Sequence, residues 1–279
     1  MGKTFVSRAV GAFLGAQLAE SGMPGLRRAS TPFSPAQGPL TDEMVRSATR
    51  LVMARGKTVD GAETLPDDEE VVLNSPLLMS ARVIPLAIAE ALRGRRDVLP
   101  LEERVLMATQ GGQDPRVRVA AYAMALAVQA AFAQTDTEEH DSRRAYVVLR
   151  DISNMVREVE DRFPHMRTPS ISSWFTKIHA YSLLDQGWEQ ELGDRLSAWA
   201  TPWALIPLAI AVFLRHPLRF EAGVQETQIF PTPGPFAFFT GCLIGASVGV
   251  EQIPSAWLSA HPKRDEIVAF AQSFTQTFG

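Results

Sequence analysis

Few side chains in this 279-residue sequence have the type and spacing to do chemistry, and most of those read as structure. The single cysteine, Cys242, lies in an apolar run, where a thiol behaves as a small hydrophobe. With no second cysteine the chain has no intrachain disulfide, redox pair or thiolate metal cluster. Five histidines (His140, His165, His179, His216, His261) show no metal-ligand spacing. No Ser/His/Asp order, phosphate-cradling glycine loop or dinucleotide fingerprint occurs. What stands out is a hydroxyl followed by two carboxylates, Thr41-Asp42-Glu43. On their own these three describe a helix start: a hydroxyl that caps free N–H groups, and two acids near the positive end of the helix dipole.

The elements that must position them are helices. Apolar residues recur at three and four throughout, and no segment sustains the two-residue alternation of a strand bounded by hairpin turns. The expected fold is all-α, one domain over residues 1–279, at the upper edge of what a single hydrophobic core holds. A first helix runs to about Ser21, where Gly22, Pro24 and Gly25 stop it. Thr41 is placed as the N-cap of a second, reaching about Ala54. Leu77 to Leu92 contains Pro85, which predicts a kink or two shorter helices. Asp114-Pro115 opens an alanine-rich helix to about Ala133. Arg144 to Phe163 and Ser172 to Leu184 read as amphipathic helices, and Pro202 to Leu214 as a central one. The last long helix carries Gly241, Gly245 and Gly249 on one face, as Gly11 and Gly15 do in the first. The two are expected to cross in close contact.

Charge excludes some functions. With 27 basic against 31 acidic residues the net charge is −4, and the basic pairs are scattered, so no field gathers a nucleic-acid backbone. The uncharged stretch Thr227 to Val250 approaches the ~20 residues that cross a bilayer, but Pro231, Pro233 and Pro235 shorten its helix, which favours a buried core helix over a span. The N-terminus has the basic start of a signal peptide, yet Gly11, Gly15 and Gln17 break its apolar run and no cleavage site follows. The expected location is the cytoplasm.

Four patches, in order, are similar to the signature of the ADP-ribosylglycohydrolase family. Gly11-Ala12-Phe13-Leu14-Gly15 matches the start of the family's G-A-x-x-G-x-x-x-G-D, with Ala19 at the next glycine and Glu20 at the aspartate. Thr41-Asp42-Glu43-Met44 stands for T-D-D-T: the third position keeps a carboxylate and the fourth loses its hydroxyl. Arg82-Val83-Ile84-Pro85 resembles M-R-x-x-P, while Thr109-Gln110 falls where the family has T-H. The run from Gly241 through Gly245 and Gly249 to Ile253-Pro254 and Trp257-Leu258 is very like the closing G-A-x-x-G-A-x-x-G-x-x-x-I-P-x-x-W-L. Just before it the family carries G-G-D-T-D-T; here stands Phe230-Pro231-Thr232-Pro233-Gly234-Pro235, without either aspartate. The stretch from about Thr135 to Ser197 carries no motif of the set.

The resemblance implies an all-α enzyme fold whose members hydrolyse the bond between ADP-ribose and its acceptor with two divalent cations. Hard cations need oxygen ligands, preferably carboxylates. The positions carried over as ligand-binding are Thr41, Asp42, Glu43, Arg82 and Thr232, with Thr41, Asp42 and Glu43 as residual metal ligands and Glu20 as a candidate catalytic carboxylate. A hydroxyl at Thr232 does not replace an anionic ligand. Glu221 and Glu226 lie upstream of the altered loop, where a remodelled site would draw on them. The implied cofactor is none, or at most one weakly bound magnesium ion. The implied function is that of a catalytically degenerate member acting by binding an ADP-ribose-like group or a protein, such as an ADP-ribosyltransferase toxin that it neutralises as an immunity protein. The alternative is an active metal-dependent hydrolase with a remodelled site on Asp42, Glu43 and Glu20. A protein with no tie to ADP-ribose is the third reading.

Overall fold

The architecture comes from a computed structural model that describes residues 2–21, 39–55, 75–94, 101–109, 114–133, 142–163, 170–182, 202–228 and 233–279. The elements in chain order are α1 (Gly2–Ser21), α2 (Pro39–Arg55), α3 (Pro76–Arg93), α4 (Leu101–Ala108), α5 (Pro115–Phe132) and α6 (Ser142–Glu160). They continue with α7 (Ile171–Ser182), α8 (Pro202–Arg215), α9 (Phe220–Thr227) and α10 (Pro233–Val248). A 3₁₀ turn at Val250–Gln252, α11 (Ser255–Ala260) and α12 (Arg264–Phe278) complete the chain. Among the described residues there is no strand, so the all-α expectation holds.

Helix starts follow local chemistry. Ser75 caps α3 by accepting the Leu78 N–H at 3.3 Å, with Pro76 in the first turn and left-handed Gly94 (φ 62°) closing the helix. Asp114 caps α5 through the Arg116 N–H at 2.9 Å. Helix α3 passes through Pro85 as one helix. Pro85 has no N–H for the Ala81 carbonyl, and the neighbouring Arg82 carbonyl takes the Ser47 hydroxyl of α2 at 2.6 Å.

Two expectations need correction. Thr41 is not the N-cap of α2, because the helix already begins at Pro39, a residue preorganised for the first helical position. Pro233 and Pro235, expected to cut the helix of the uncharged stretch short, lie inside it, in the first turn of α10, where missing N–H groups cost nothing. Helices α4, α9, α11 and α12 lay outside the sequence expectation, and α12 follows the glycine helix that was read as the last long one. The segments around Gly25, Asp60 to Glu70, Gln110 and Phe230 to Thr232 lie outside the described residues.

The centre of the molecule is the crossing of α1 and α10. A Cβ built on Gly11 would lie within 3.0 Å of the Gly245 carbonyl oxygen, and one on Gly245 would meet the Gly11 oxygen in return. Gly15 and Gly241 stand in the same reciprocal relation one turn along. Backbone touches backbone at all four positions, which only glycine allows. The expected glycine contact between first and late helix is therefore present. At the far end of the crossing the Ser7 hydroxyl meets the Glu251 carboxylate and accepts the Val250 N–H at 3.2 Å.

Around this pair α2 packs on α3, α3 on α5, α12 on α1, and α8 and α9 on α10, while α6 and α7 form a layer against α5 and α8. Helix α10 is buried from Phe236 to Ser247, so its apolar surface is spent inside the protein. Among the described residues no helix is long and apolar enough to cross a membrane. Burial also pushes the Cys242 thiol well above its ordinary range, in line with the role of a small hydrophobe.

Gly11→Ala and Gly245→Ala are expected to lose about 1–3 kcal/mol each, the usual cost of overpacking. Gly234→Ala, whose added methyl meets nothing within 4 Å, is expected to leave stability unchanged or raise it slightly. Thermal unfolding of the three variants checks both statements.

Candidate functional site

The residues singled out in the sequence meet where the end of α1 and the first turns of α2 face α3. Glu20, the penultimate residue of α1, accepts the Leu40 N–H at 3.1 Å, the Thr41 N–H at 2.9 Å and the Thr41 hydroxyl at 2.6 Å. Leu40 and Thr41 are the second and third residues of α2, so their amides belong to the set that has no partner within the helix. Glu20 therefore performs, from another helix, the task that a cap residue performs within its own. Burial pushes its carboxyl up. The hydrogen bonds from Thr41 and Leu40 oppose that shift, and the nearby Asp42 charge adds to it.

The same device recurs away from the site. Glu160, the last residue of α6, accepts the Ser172 N–H at 3.1 Å and the Ser172 hydroxyl at the start of α7. In both places a glutamate ends one helix and clamps the amide and hydroxyl that begin the next. The recurrence marks the Glu20–Thr41 arrangement as a way to join helices that needs no ligand.

Glu43 turns inward and is 1% exposed. Its Oε1 accepts Arg82 Nε at 2.6 Å, and its Oε2 lies 3.2 Å from Arg46 Nη2. Arg82 is 2% exposed, one of the largest fully enclosed side chains, and among the described residues its Nη2 has no hydrogen-bond partner. A charge that deep is tolerable only when paired, so Glu43 and Arg82 hold each other in place and lock α2 to α3. Asp42 differs: it is half-buried, and among the described residues its carboxylate has no hydrogen bond or ion pair. Met44, at the position of the lost hydroxyl, is fully buried in the core.

The structure thus brings Glu20, Thr41, Asp42, Glu43 and Arg82 together. Thr232 lies outside the described residues. Glu226 is occupied elsewhere: its carboxylate bonds His216 Nε2 and lies 3.4 Å from Arg215 Nε. Glu221 is exposed and accepts from Gln225 Nε2 at 3.1 Å. Among the described residues no group of three His, Cys, Asp or Glu side chains gathers in a metal-binding arrangement. Sequence reasoning missed Arg46 and Ser47, although Glu43 and Arg46 are three apart on a helix, a spacing that pairs opposite charges.

Removing one partner of the buried pair, by Arg82→Met or by Glu43→Leu, is expected to cost about 3–5 kcal/mol. The double variant should lose much less than the sum, which denaturant unfolding of the four proteins measures. Glu20 gives a pH signature. Its folded pKa is raised, so its stabilising contribution is fully present below about pH 4.5 and is lost as pH rises through the folded value. Stability of Glu20→Gln, followed by unfolding at a series of pH values, is expected to lack that downward step.

Comparison with known proteins comes from two sides. A family model described as ADP-ribosylglycohydrolase matches residues 38–279, a span that includes α2 through α12 and leaves α1 outside. A solved structure described as an ADP-ribosylglycohydrolase-related protein complex is similar at TM-score 0.60 and 16% identity, covering 99% of this chain and 100% of that one. At that identity the likeness is one of fold. No curated protein matches the chain.

Proposed function

Because the chain belongs to the ADP-ribosylglycohydrolase family, we propose that it uses the family fold as a binding protein and has given up the two-cation hydrolysis. The observation that carries this reading is the buried Glu43–Arg82 pair. A divalent cation of the magnesium type asks for about six oxygen ligands in near-octahedral array. Of the three acids at hand, Glu20 is taken by the amides and hydroxyl of α2, and Glu43 by two guanidinium groups. Turning Glu43 toward a metal would leave Arg82 an unpaired buried cation, at a cost of several kcal/mol.

The donor set therefore does not fit two divalent ions. It admits at most one weakly held magnesium, on Asp42 through water, and no hydrolytic step is drawn through a metal. Thr41 adds only a neutral oxygen, since its hydroxyl donates to Glu20 and brings no negative charge to such an ion.

In this reading the protein binds an ADP-ribose-like group or another protein. The partner we favour is an ADP-ribosyltransferase toxin, which the chain neutralises as an immunity protein. Support for that partner is associational: relatives with this fold reverse ADP-ribosylation, and a scaffold kept while its acids turn to structural tasks suits occlusion better than turnover.

Calorimetric titration of the protein with magnesium chloride and with ADP-ribose tests the first part. No saturable magnesium heat is expected at millimolar concentration. Tight magnesium binding abolished by Asp42→Ala, accompanied by release of ADP-ribose from a modified protein, would overturn it in favour of a remodelled hydrolase. Purification of the tagged chain from its native cell tests the second part. A stoichiometric transferase partner is expected, and recovery of the chain alone would rule out immunity.

A further inference from the structure

Away from this site, α6 and α7 form a concavity in the one long stretch that no family motif reaches. Arg150, Ser153, Asn154 and Arg157 follow one another at the spacing of a single helix face on α6, and Phe175 and Thr176 of α7 complete the lining. The cavity is about 180 Å³. That is below the ~300–1,000 Å³ of pockets that enclose a whole drug-sized ligand, and suits one compact chemical group.

Three polar side chains of this cavity have no partner among the described residues. Ser153 is 8% exposed and lines the cavity, and among the described residues its hydroxyl has no hydrogen-bond partner. Arg157 and Asn154 have no ion pair or side-chain hydrogen bond either, among the described residues. Asp161 stands one turn beyond Arg157, at the spacing that pairs charges along a helix, and the guanidinium does not take it. Arg150 bonds its neighbour Asp151 at 3.1 Å and still lines the cavity, and Phe175, 1% exposed, gives an apolar floor. The Arg157 guanidinium fork, the Asn154 amide and the Ser153 hydroxyl over an apolar floor offer donors that the described residues do not use. The chemistry they fit is a tetrahedral oxyanion with several acceptor oxygens.

We propose that the α6–α7 cavity is a binding site for a phosphate group, held by Arg157 and Ser153 with Arg150 and Asn154 at its rim. It stands apart from the Glu20–Arg82 cluster, so the fate of either reading leaves the other standing. The full chain is titrated with inorganic phosphate at constant ionic strength, and separately with a phosphoseryl peptide and its unphosphorylated form. Trp174 fluorescence or calorimetry provides the signal. Saturable phosphate binding is expected, weakened on the order of tenfold by Arg157→Gln and partly kept by Arg157→Lys, since a bidentate fork outperforms a point charge. Arg157 is exposed, so its variants should unfold at the wild-type temperature, which keeps the comparison one of binding. Tighter binding of the phosphopeptide than of free phosphate identifies a modified protein as the source; equal or weaker binding identifies a small molecule. Absence of saturable binding, or affinity unchanged in Arg157→Gln, overturns the proposal.

Discussion

The rest of the structure depends on how closely two helix backbones approach each other. At Gly11, Gly15, Gly241 and Gly245 the spacing of α1 and α10 is set by carbonyl oxygens and not by side chains. Each glycine costs about 1 kcal/mol of helix propensity relative to alanine. The return is a crossing that brings everything else into register. Helix α1 ends where Glu20 reaches the start of α2, and α2 is thereby held at the angle from which Glu43 reaches Arg82 on α3. A wider crossing would move Glu20 off the amides it caps.

Within that frame the buried acids share one habit: each has a positive partner supplied by the chain. Glu20 has the amino end of α2, Glu160 that of α7, Glu43 has Arg82 and Arg46, and Glu90 has Arg93 and Arg104. Glu226 is held by His216 and Arg215. These carboxylates are neutralised by partners within the chain. Glu20 and Glu43 both stand where the resembling family has aspartate, and both use their length to reach a structural partner. Asp42, which keeps the shorter side chain, has no such partner among the described residues.

Much of the fold was legible in the sequence because the signals were local or periodic. Asp114-Pro115 announced α5, and the four-residue glycine interval announced the crossing of α1 with α10. Short helices such as α9 and α11 give too few turns to show a period, so they were missed. The site was legible only in part. Residue types and order placed Thr41, Asp42, Glu43 and Arg82 together, but the direction a carboxylate turns is a tertiary fact. Nothing local says that Glu43 faces a guanidinium 39 residues away. Reading Thr41 as a cap failed for the same reason, since the capping group came from a different helix.

The α1–α10 crossing joins residues that are far apart in the chain: Gly11 meets Gly245, a separation of 245 − 11 = 234 residues. Contacts of such range make folding slow, because the loop they close must be ordered before they reward it. On a ribosome adding about 5–20 residues per second, Gly245 is made roughly 12–47 s after Gly11. For that interval α1 has been synthesised without the surface that covers it. Its buried face, from Ala9 to Ala19, is an apolar stretch exposed to whatever holds nascent chains. The pairing of Gly11 with Gly245 thus waits on the synthesis of α10.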